Sequence, residues 1–201
     1  MLMIGVPIHD MMPADSFASF VNFIFDTLGA KIPFTFIIQK GTPIEKNRND
    51  IVEAFLKSDC DELLFLDSDQ TFPNNLYKRL RSHDASIVSG FTWKKRYPFD
   101  PAIFKKNPDG TYSVWPDVEL NKVYEPDGVG MFCCLIKKKV FETVPYPWFK
   151  TEPNLGEDFY FCQKAKERGY KIVADTGIVC GHVGAIVDEK FMAKAKDGKC
   201  Q

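Results

Sequence analysis

The chain has 201 residues, of which 45% are hydrophobic and 26% are charged, and its formal net charge is −1 at pH 7. A chain of this size and composition can bury an ordinary globular core without disulfide staples. Its near-zero charge gives no strong field toward nucleic acid or an anionic membrane, so we expect no nucleic-acid partner.

The first ninety residues alternate between apolar β-type runs and helical patterns. Buried strands are predicted at residues 4–8, 34–38, 63–66 and 86–89. Helices are predicted between them: one from Phe17 to Leu28, with apolar residues three and four apart, and two that open at Pro43 and Pro73. This alternation is typical of βαβ units around a parallel sheet, and continuous apolar strands fit a sheet covered on both faces.

The rhythm changes after residue 90. Residues 101–115 hold a Pro-Asp-Gly turn between two β-type runs and predict an antiparallel hairpin. Further strands are predicted at residues 129–136, 172–174 and 178–180, and further helices at residues 156–168 and 186–195. The fold class predicted from the whole chain is α/β.

The cysteines and the apolar runs indicate in which cellular compartment the protein is expected. Six cysteines occur without a CxxC pair or metal-ligand spacing: Cys60, Cys133, Cys134, Cys162, Cys180 and Cys200. No charged leader precedes an apolar stretch at the start, and no apolar run approaches the ~20 residues that span a bilayer. We expect a reduced, cytoplasmic protein without a transmembrane segment.

The segment ELLFLDSDQTF places two aspartates directly after the third predicted strand. Ligands of open α/β sheets bind beyond the carboxyl ends of the strands, and residues i and i+2 of an extended segment point the same way. Asp67 and Asp69 could thus share one Mg²⁺ or Mn²⁺, which in turn binds a diphosphate. The alternative is an Asx-turn in which Asp69 or Thr71 caps the following helix.

Six motifs occur in order along nearly the whole chain: GVPIH, NRND at positions 47–50, LDSD, GVGMF, GEDFYF and GHVG. Together they resemble the GT-A glycosyltransferases, nearest to the small family 2 enzymes of phages and large DNA viruses. The resemblance implies a Rossmann-like fold, with a mostly parallel central sheet between helices and a small antiparallel hairpin. It also implies a single catalytic domain over residues 1–201, with a nucleotide-binding half (1–90) and an acceptor half (91–201).

The same resemblance implies the reaction and its central residues. A sugar would pass from a nucleotide-sugar donor, UDP-linked by family habit, to a hydroxyl acceptor on a glycan. Asp67-Ser68-Asp69 matches the DxD motif, in which Asp69 binds the metal directly and Asp67 contacts the ribose, or the metal through water. His182 matches the late histidine that supplies a third metal ligand and would favour Mn²⁺ over Mg²⁺. Asp158 matches the general base of inverting members.

Glu157 and Asp158 are consecutive on a predicted helix, so their side chains diverge and only one can be that base. The alternative is that both acids stabilise the positive end of the helix. The resemblance extends to donor-binding positions: Pro7, Ile8, His9, Gln39, Lys40, Arg48, Trp93 and Gly130. Lys94, Lys95 and Arg96 are candidate phosphate contacts or a solvated loop, and Trp148 and Phe149 are either acceptor platforms or core residues.

Three other functions remain as alternatives. LDSDQT also satisfies the DxDxT motif of haloacid-dehalogenase-type phosphatases, although that fold begins with this strand. A sugar-nucleotide nucleotidyltransferase shares the nucleotide, metal and architecture but has a glycine-rich basic loop after the first strand, which PIHDMMPADSF lacks. A non-catalytic sugar-binding module would not need Asp158. A further hypothesis is that the chain, which stops in a Lys-rich tail, is the first module of a longer protein.

Overall fold

The structure, a computed structural model, describes residues 1–95 and 97–184. Its strands are β1 (Leu2–Ile8), β2 (Phe34–Lys40), β3 (Glu62–Leu66), β4 (Gln70–Thr71), β5 (Ile87–Phe91), β6 (Ile103–Lys106), β7 (Tyr112–Val114), β8 (Val123–Tyr124), β9 (Gly128–Val129), β10 (Cys133–Lys137), β11 (Ile172–Val179) and β12 (Gly181–His182). Its helices are α1 (Ala14–Gly29), α2 (Ile44–Leu56), α3 (Leu76–Arg81), α4 (Lys138–Thr143) and α5 (Glu157–Glu167).

Seven strands form a central sheet in the order β2-β1-β3-β10-β5-β11-β8. Five of them run in the same direction, and β10 and β8 run against their neighbours. This large, mainly parallel sheet confirms the predicted α/β class. Parallel neighbours need crossover connections, and the helices supply them.

Helices cover both faces of the sheet, as predicted. On one face α1 and α3 bury Phe20, Phe23 and Leu80, and on the other α2 and α5 bury Phe55 and Phe161. Neighbouring residues of β3 alternate between these two cores, because successive side chains of a strand point to opposite faces. Both faces are apolar, which explains why the strand sequences are continuous hydrophobic runs.

Several predicted boundaries were wrong. The strand expected at 129–136 is two strands, β9 and β10, separated by a turn that begins at Gly130. The two strands expected between 172 and 180 are one strand, β11, with a register irregularity between Ala174 and Val179. α3 begins at Leu76 rather than Pro73, and neither Asp69 nor Thr71 caps it. The helix predicted at 186–195, Arg96 and Cys200 lie outside the described residues.

The two small sheets position the site. The predicted hairpin is confirmed as β6 and β7, which with β9 form a three-stranded antiparallel sheet. β12 pairs with β4, and the Val183 N–H donates to the Asp69 carbonyl (2.8 Å). This pairing brings His182, late in the chain, beside the turn that follows β3.

The described cysteines are buried and free of disulfide bonds: Cys60, Cys133, Cys134, Cys162 and Cys180. None of the described helices has both the length and the apolar character that a bilayer crossing requires.

Candidate active site

A cavity of about 260 Å³ lies at the edge of the central sheet where β3, β5 and β11 end. Five of its lining residues are titratable: Asp67, Asp69, Lys94, Asp158 and His182. Two larger cavities, about 650 and 490 Å³, lie around the starts of β1 and β3 and between α1 and α3, and contain none of the motif residues. The chemistry therefore points to the smaller cavity, because size alone does not make a site.

The two aspartates leave β3 in a turn, not in an extended segment. β3 ends at Leu66, and the Gln70 N–H donates to the Asp67 carbonyl (3.3 Å) to close the turn. The premise that Asp67 and Asp69 are residues i and i+2 of an extended segment was therefore wrong. Both line the cavity, but each has its own cationic partners.

Arg48 of α2 lies buried behind the cavity, at the centre of three carboxylates. Its Nη1 and Nη2 lie 3.1 and 3.2 Å from the Asp67 carboxylate oxygens. Its Nε lies 3.5 Å from Glu157 and 3.7 Å from Asp158, both in the first turn of α5. Arg48 was predicted to contact the nucleotide; its partners here are the acids, and a nucleotide contact stays a prediction.

Burial dominates the electrostatics of this acidic group. It raises the pKa of Asp158 well above the ordinary value, and the Arg48 guanidinium only partly offsets it. Burial likewise raises the pKa of Asp67 against the effect of Arg48. For Arg48 burial acts to lower the pKa, yet the surrounding carboxylates raise it overall. A carboxyl whose pKa is raised in a cleft is a candidate for proton transfer.

Asp69 has the opposite balance. Burial acts to raise its pKa, but the interactions with His182 and Lys95 outweigh burial and lower the pKa to about 2. Asp69 is therefore an anion at any working pH. It holds the Lys95 ammonium and lies 3.6 Å from His182 Nε2.

His182 is oriented by the backbone of the loop after β5. Its Nδ1 lies 3.1 Å from the Trp93 carbonyl oxygen, which can only accept a hydrogen bond, so Nδ1 carries the proton. Nε2 is then the nitrogen that faces Asp69. Metal-binding histidines in proteins are commonly fixed in this way by a carbonyl behind the ring.

The donor set fits a divalent cation in part. A carboxylate oxygen and an imidazole nitrogen 3.6 Å apart can share one ion at ordinary bond lengths, and the Lys95 ammonium already marks this point as attractive to cations. However, no three His, Cys, Asp or Glu side chains within residues 1–95 and 97–184 are grouped so that they could hold a metal. Asp67 faces Arg48, and its place as a ligand stays a prediction.

Four residues of the cavity wall were not predicted from the sequence: Gln70 and three phenylalanines. Gln70 is fully buried, and neither amide atom has a hydrogen-bond partner among the described residues, although the side chain lines the cavity. Phe104, Phe132 and Phe159 line it too, and Phe159 stacks on Tyr112 (4.6 Å between centroids). Gln70 could have been suspected because it directly follows the LDSD motif.

The remaining predicted residues divide into two groups. Trp93, Lys94 and Gly130 line the cavity, and a Cβ added at Gly130 would meet Asp158 Oδ2 at 3.6 Å. The others lie outside the cavity lining: Pro7, Ile8, His9, Gln39, Lys40, Ser68 and Glu157.

Trp148 and Phe149 are core residues, not platforms for an acceptor. The Trp148 indole N–H donates to the Phe141 and Val144 carbonyls, and Phe149 packs against Phe65 and Phe161. Their aromatic side chains are buried in the core on the α2–α5 face of the sheet.

No protein-family model matches the chain, and no curated protein matches it in sequence. Solved structures do match. A197 from STIV is 19% identical, with a TM-score of 0.64 over 89% of this chain and 84% of that one. GalNAc-T7, solved with UDP, GalNAc and Mn²⁺, is 12% identical, with a TM-score of 0.61 over 90% of this chain and 43% of that one.

A third similar structure is the inositol-1-phosphate CTP transferase from T. maritima. It is 12% identical, with a TM-score of 0.54 over 98% of both chains. At these identities the likeness establishes the fold alone. The fold is GT-A-like, as the sequence motifs implied, and this chain spans less than half of GalNAc-T7.

Proposed function

We propose that the chain is a metal-dependent glycosyltransferase, which moves a sugar from a nucleotide-sugar donor, UDP-linked by preference, to an acceptor hydroxyl of a glycan. The observation that carries the proposal is the single cavity that unites Asp69 and His182 with Asp158. A cation site and a base in one aromatic-walled cleft are the two parts that such a transfer requires.

Asp158 is the general base in this proposal. The acceptor hydroxyl must lose a proton as it attacks the anomeric carbon, and Asp158, unlike Glu157, lines the cavity where that hydroxyl would lie. Burial raises the pKa of Asp158, which strengthens it as a proton acceptor once it is ionised. Arg48, 3.7 Å away, holds the carboxylate in place and limits that rise.

Asp69 and His182 would bind Mn²⁺ or Mg²⁺, and Asp67 lines the same cavity. When bound, the metal supplies positive charge to the diphosphate of the donor. Lys94 and Lys95, beside the same cleft, add cationic side chains near that charge. Trp93 and Phe132 provide apolar wall against which a sugar ring can pack.

The direct test is thermal unfolding against a panel of nucleotide sugars with and without Mn²⁺. A ligand at 100 times its Kd stabilises a protein by ~2.7 kcal/mol, which corresponds to roughly 5–10 °C for a chain of this size. We expect a UDP-sugar with Mn²⁺ to give such a shift and Asp69→Asn to abolish it. Asp84→Asn, which changes an exposed acid distant from the motif residues, should retain it. The absence of a shift with every nucleotide would contradict the proposal.

A nucleotidyltransferase is the second candidate, favoured by the fold match to the T. maritima enzyme over 98% of the chain. That reaction would release pyrophosphate from a nucleoside triphosphate and a sugar phosphate, whereas glycosyl transfer releases a nucleoside diphosphate. The phosphatase alternative fits less well, because β3 is the third strand of its sheet and Asp67 is bound by Arg48 rather than free to attack. A non-catalytic sugar-binding module would bind sugar without releasing pyrophosphate or a nucleoside diphosphate.

Gln70→Met should stabilise the protein and weaken donor binding. A buried amide without partners costs ~1–3 kcal/mol, so a methionine of similar shape should raise the free energy of unfolding by about that amount. The same change removes two hydrogen-bonding atoms from the cavity wall, the amide oxygen and nitrogen of Gln70. Chemical denaturation and donor titration measure the two effects, with Gln163→Met, at an exposed Gln163–Glu167 contact, as the control. Lower stability in Gln70→Met would show that the amide is already satisfied.

A further inference from the structure

β2 forms one edge of the central sheet, with β1 as its strand neighbour in the part of the chain that the structure describes. The Leu2 N–H donates to the Pro33 carbonyl (3.1 Å) and the Gly41 N–H to the Ile8 carbonyl (2.9 Å). The odd-numbered residues of this segment therefore direct their backbone groups toward β1. Backbone groups alternate along a strand, so four residues direct theirs outward: Phe34, Phe36, Ile38 and Lys40.

Within residues 1–95 and 97–184, this edge lacks the usual protection against pairing. Natural edge strands are blunted by short length, proline, bulges or several charges. β2 has seven residues, FTFIIQK, in unbroken register with β1, and its one charge is Lys40 at the end. The edge is long, regular and apolar.

Helix α1 continues the apolar surface beside this edge. Phe17, Phe25 and Leu28 of α1 are 60%, 65% and 55% exposed, and Phe36 and Ile38 of β2 are 42% and 49% exposed. Phe20 of α1 contacts the Phe36 ring (5.3 Å between centroids), so the even-numbered β2 side chains and α1 share one face of the sheet. We refer to these five exposed residues together as the β2–α1 face.

The β2–α1 face is directed toward the sheet edge and not toward α3. On the other side of α1 a separate cavity lies against α3, lined by Phe23, Asp26 and Leu76 among others. Phe17, Phe25 and Leu28 are spaced so that they fall on one side of α1, away from that cavity. The helix stripe and the strand edge therefore form one continuous surface.

We propose that this surface binds a second copy of the same chain, with β2 pairing antiparallel to its equivalent about a two-fold axis. The register that places Ile37 opposite its own copy pairs all four outward-directed residues: Phe36 with Ile38, and Phe34 with Lys40. An aromatic side chain then faces a β-branched one, and no like charges oppose each other. The two α1 helices lie on the same face of the joined sheet, with their exposed stripes toward each other.

The area supports a second copy as the occupant. The five side chains expose roughly 500 Å² of apolar surface per copy, since a fully exposed aromatic side chain offers ~200 Å². A standard interface buries ~800 Å² per partner, so in the proposed dimer the strand backbone and its flanking residues would have to contribute the remaining area. Two-fold contacts of self-complementary patches are the commonest oligomer interface, and the five residues of the β2–α1 face include no basic side chain to attract an anionic membrane.

Light scattering on the full chain, from low to high micromolar concentration, tests the association. We expect twice the 22.9 kDa chain mass at the upper end. Ile38→Pro should weaken the dimer at least tenfold, because it removes an outward-directed N–H while leaving the β1 ladder intact. Phe25→Glu should do the same from the helix side. Tyr146→Glu, at a 63% exposed aromatic residue elsewhere, should retain the dimer.

Cross-linking tests the register, in a Cys200→Ser background. Ile37→Cys should form a disulfide with its own copy on mild oxidation, because the two residues face each other at the axis. Thr35→Cys, half-buried and on the same side of β2, should not, because its copies would be about 13 Å apart.

A chain mass of 22.9 kDa at every concentration would overturn the proposal, whether the face then binds lipid vesicles or is covered by the chain itself. A dimer unaffected by both Ile38→Pro and Phe25→Glu, or equal cross-linking of both cysteine variants, would overturn it too. None of the substituted residues lines the candidate active site, so these outcomes do not depend on the proposed function.

Discussion

Asp158→Asn is expected to lower the rate of sugar transfer by about 10²- to 10⁴-fold, the range that a positioned general base contributes. Asparagine keeps the shape of the side chain at the start of α5 but cannot accept the proton of the acceptor hydroxyl. Donor binding should be nearly unchanged, because the proposed cation ligands are Asp69 and His182. Rate measurements, with nucleoside diphosphate release as the readout, and thermal shifts with the same donor separate the two quantities.

The pH dependence gives the same prediction a second readout. Because burial raises the pKa of Asp158, the wild-type rate should rise with pH through a value above the ordinary carboxyl range as the base ionises. The Asp158→Asn variant should not show this rise of the rate with pH. Glu157→Gln is the matched control: Glu157 also lies next to Arg48 but does not line the cavity, so its loss of rate should be much smaller. Unchanged turnover in Asp158→Asn would contradict the assignment of the base.

Arg48→Met is expected to lower the free energy of unfolding by about 3–5 kcal/mol at neutral pH, the largest loss of stability among the substitutions proposed. The guanidinium lies buried within 3.1–3.7 Å of three carboxylates, and its removal leaves buried negative charge without compensation. Methionine keeps an unbranched aliphatic side chain at this position but removes the guanidinium from above the Phe65 and Phe149 rings, so the loss combines the ion pairs with these cation–π contacts. Denaturant unfolding measures it.

The loss from Arg48→Met should shrink as the pH falls toward ~5. A carboxyl whose pKa is higher in the folded than in the unfolded state destabilises the fold at pH values above its folded pKa, and protonation relieves that penalty. The pKa of Asp158 is already raised by burial, and without Arg48 it should rise further. Arg81→Met, at an exposed arginine 3.6 Å from Glu62, should cost less than ~1 kcal/mol at either pH. A pH-independent loss would indicate lost packing instead.

The strand and helix order followed from local pattern. Apolar runs such as residues 63–66 had to be buried, and the three- and four-residue spacing in the α1 segment could satisfy only a helix, so the α/β class needed no tertiary information. Asp67 and Asp69 were found in the same way, because they directly follow a predicted strand, whereas Asp158 and His182 were found through the resemblance to GT-A glycosyltransferases. The exact ends of β9, β10 and β11 were missed, since glycines and a register irregularity interrupt apolar runs without changing their composition.

The partners of those residues were decided by the tertiary structure alone. Arg48 has the local pattern of any helix arginine, and only the packing of α2 beneath β3 and α5 encloses it among three acids. The burial of Gln70 and the exposure of the apolar stripe of α1 likewise could not be predicted from the sequence, because burial depends on which other elements cover a residue. Sequence patterns report which side chains need burial or begin an element; which charges meet depends on contacts between residues far apart in the chain, such as Asp69 and His182.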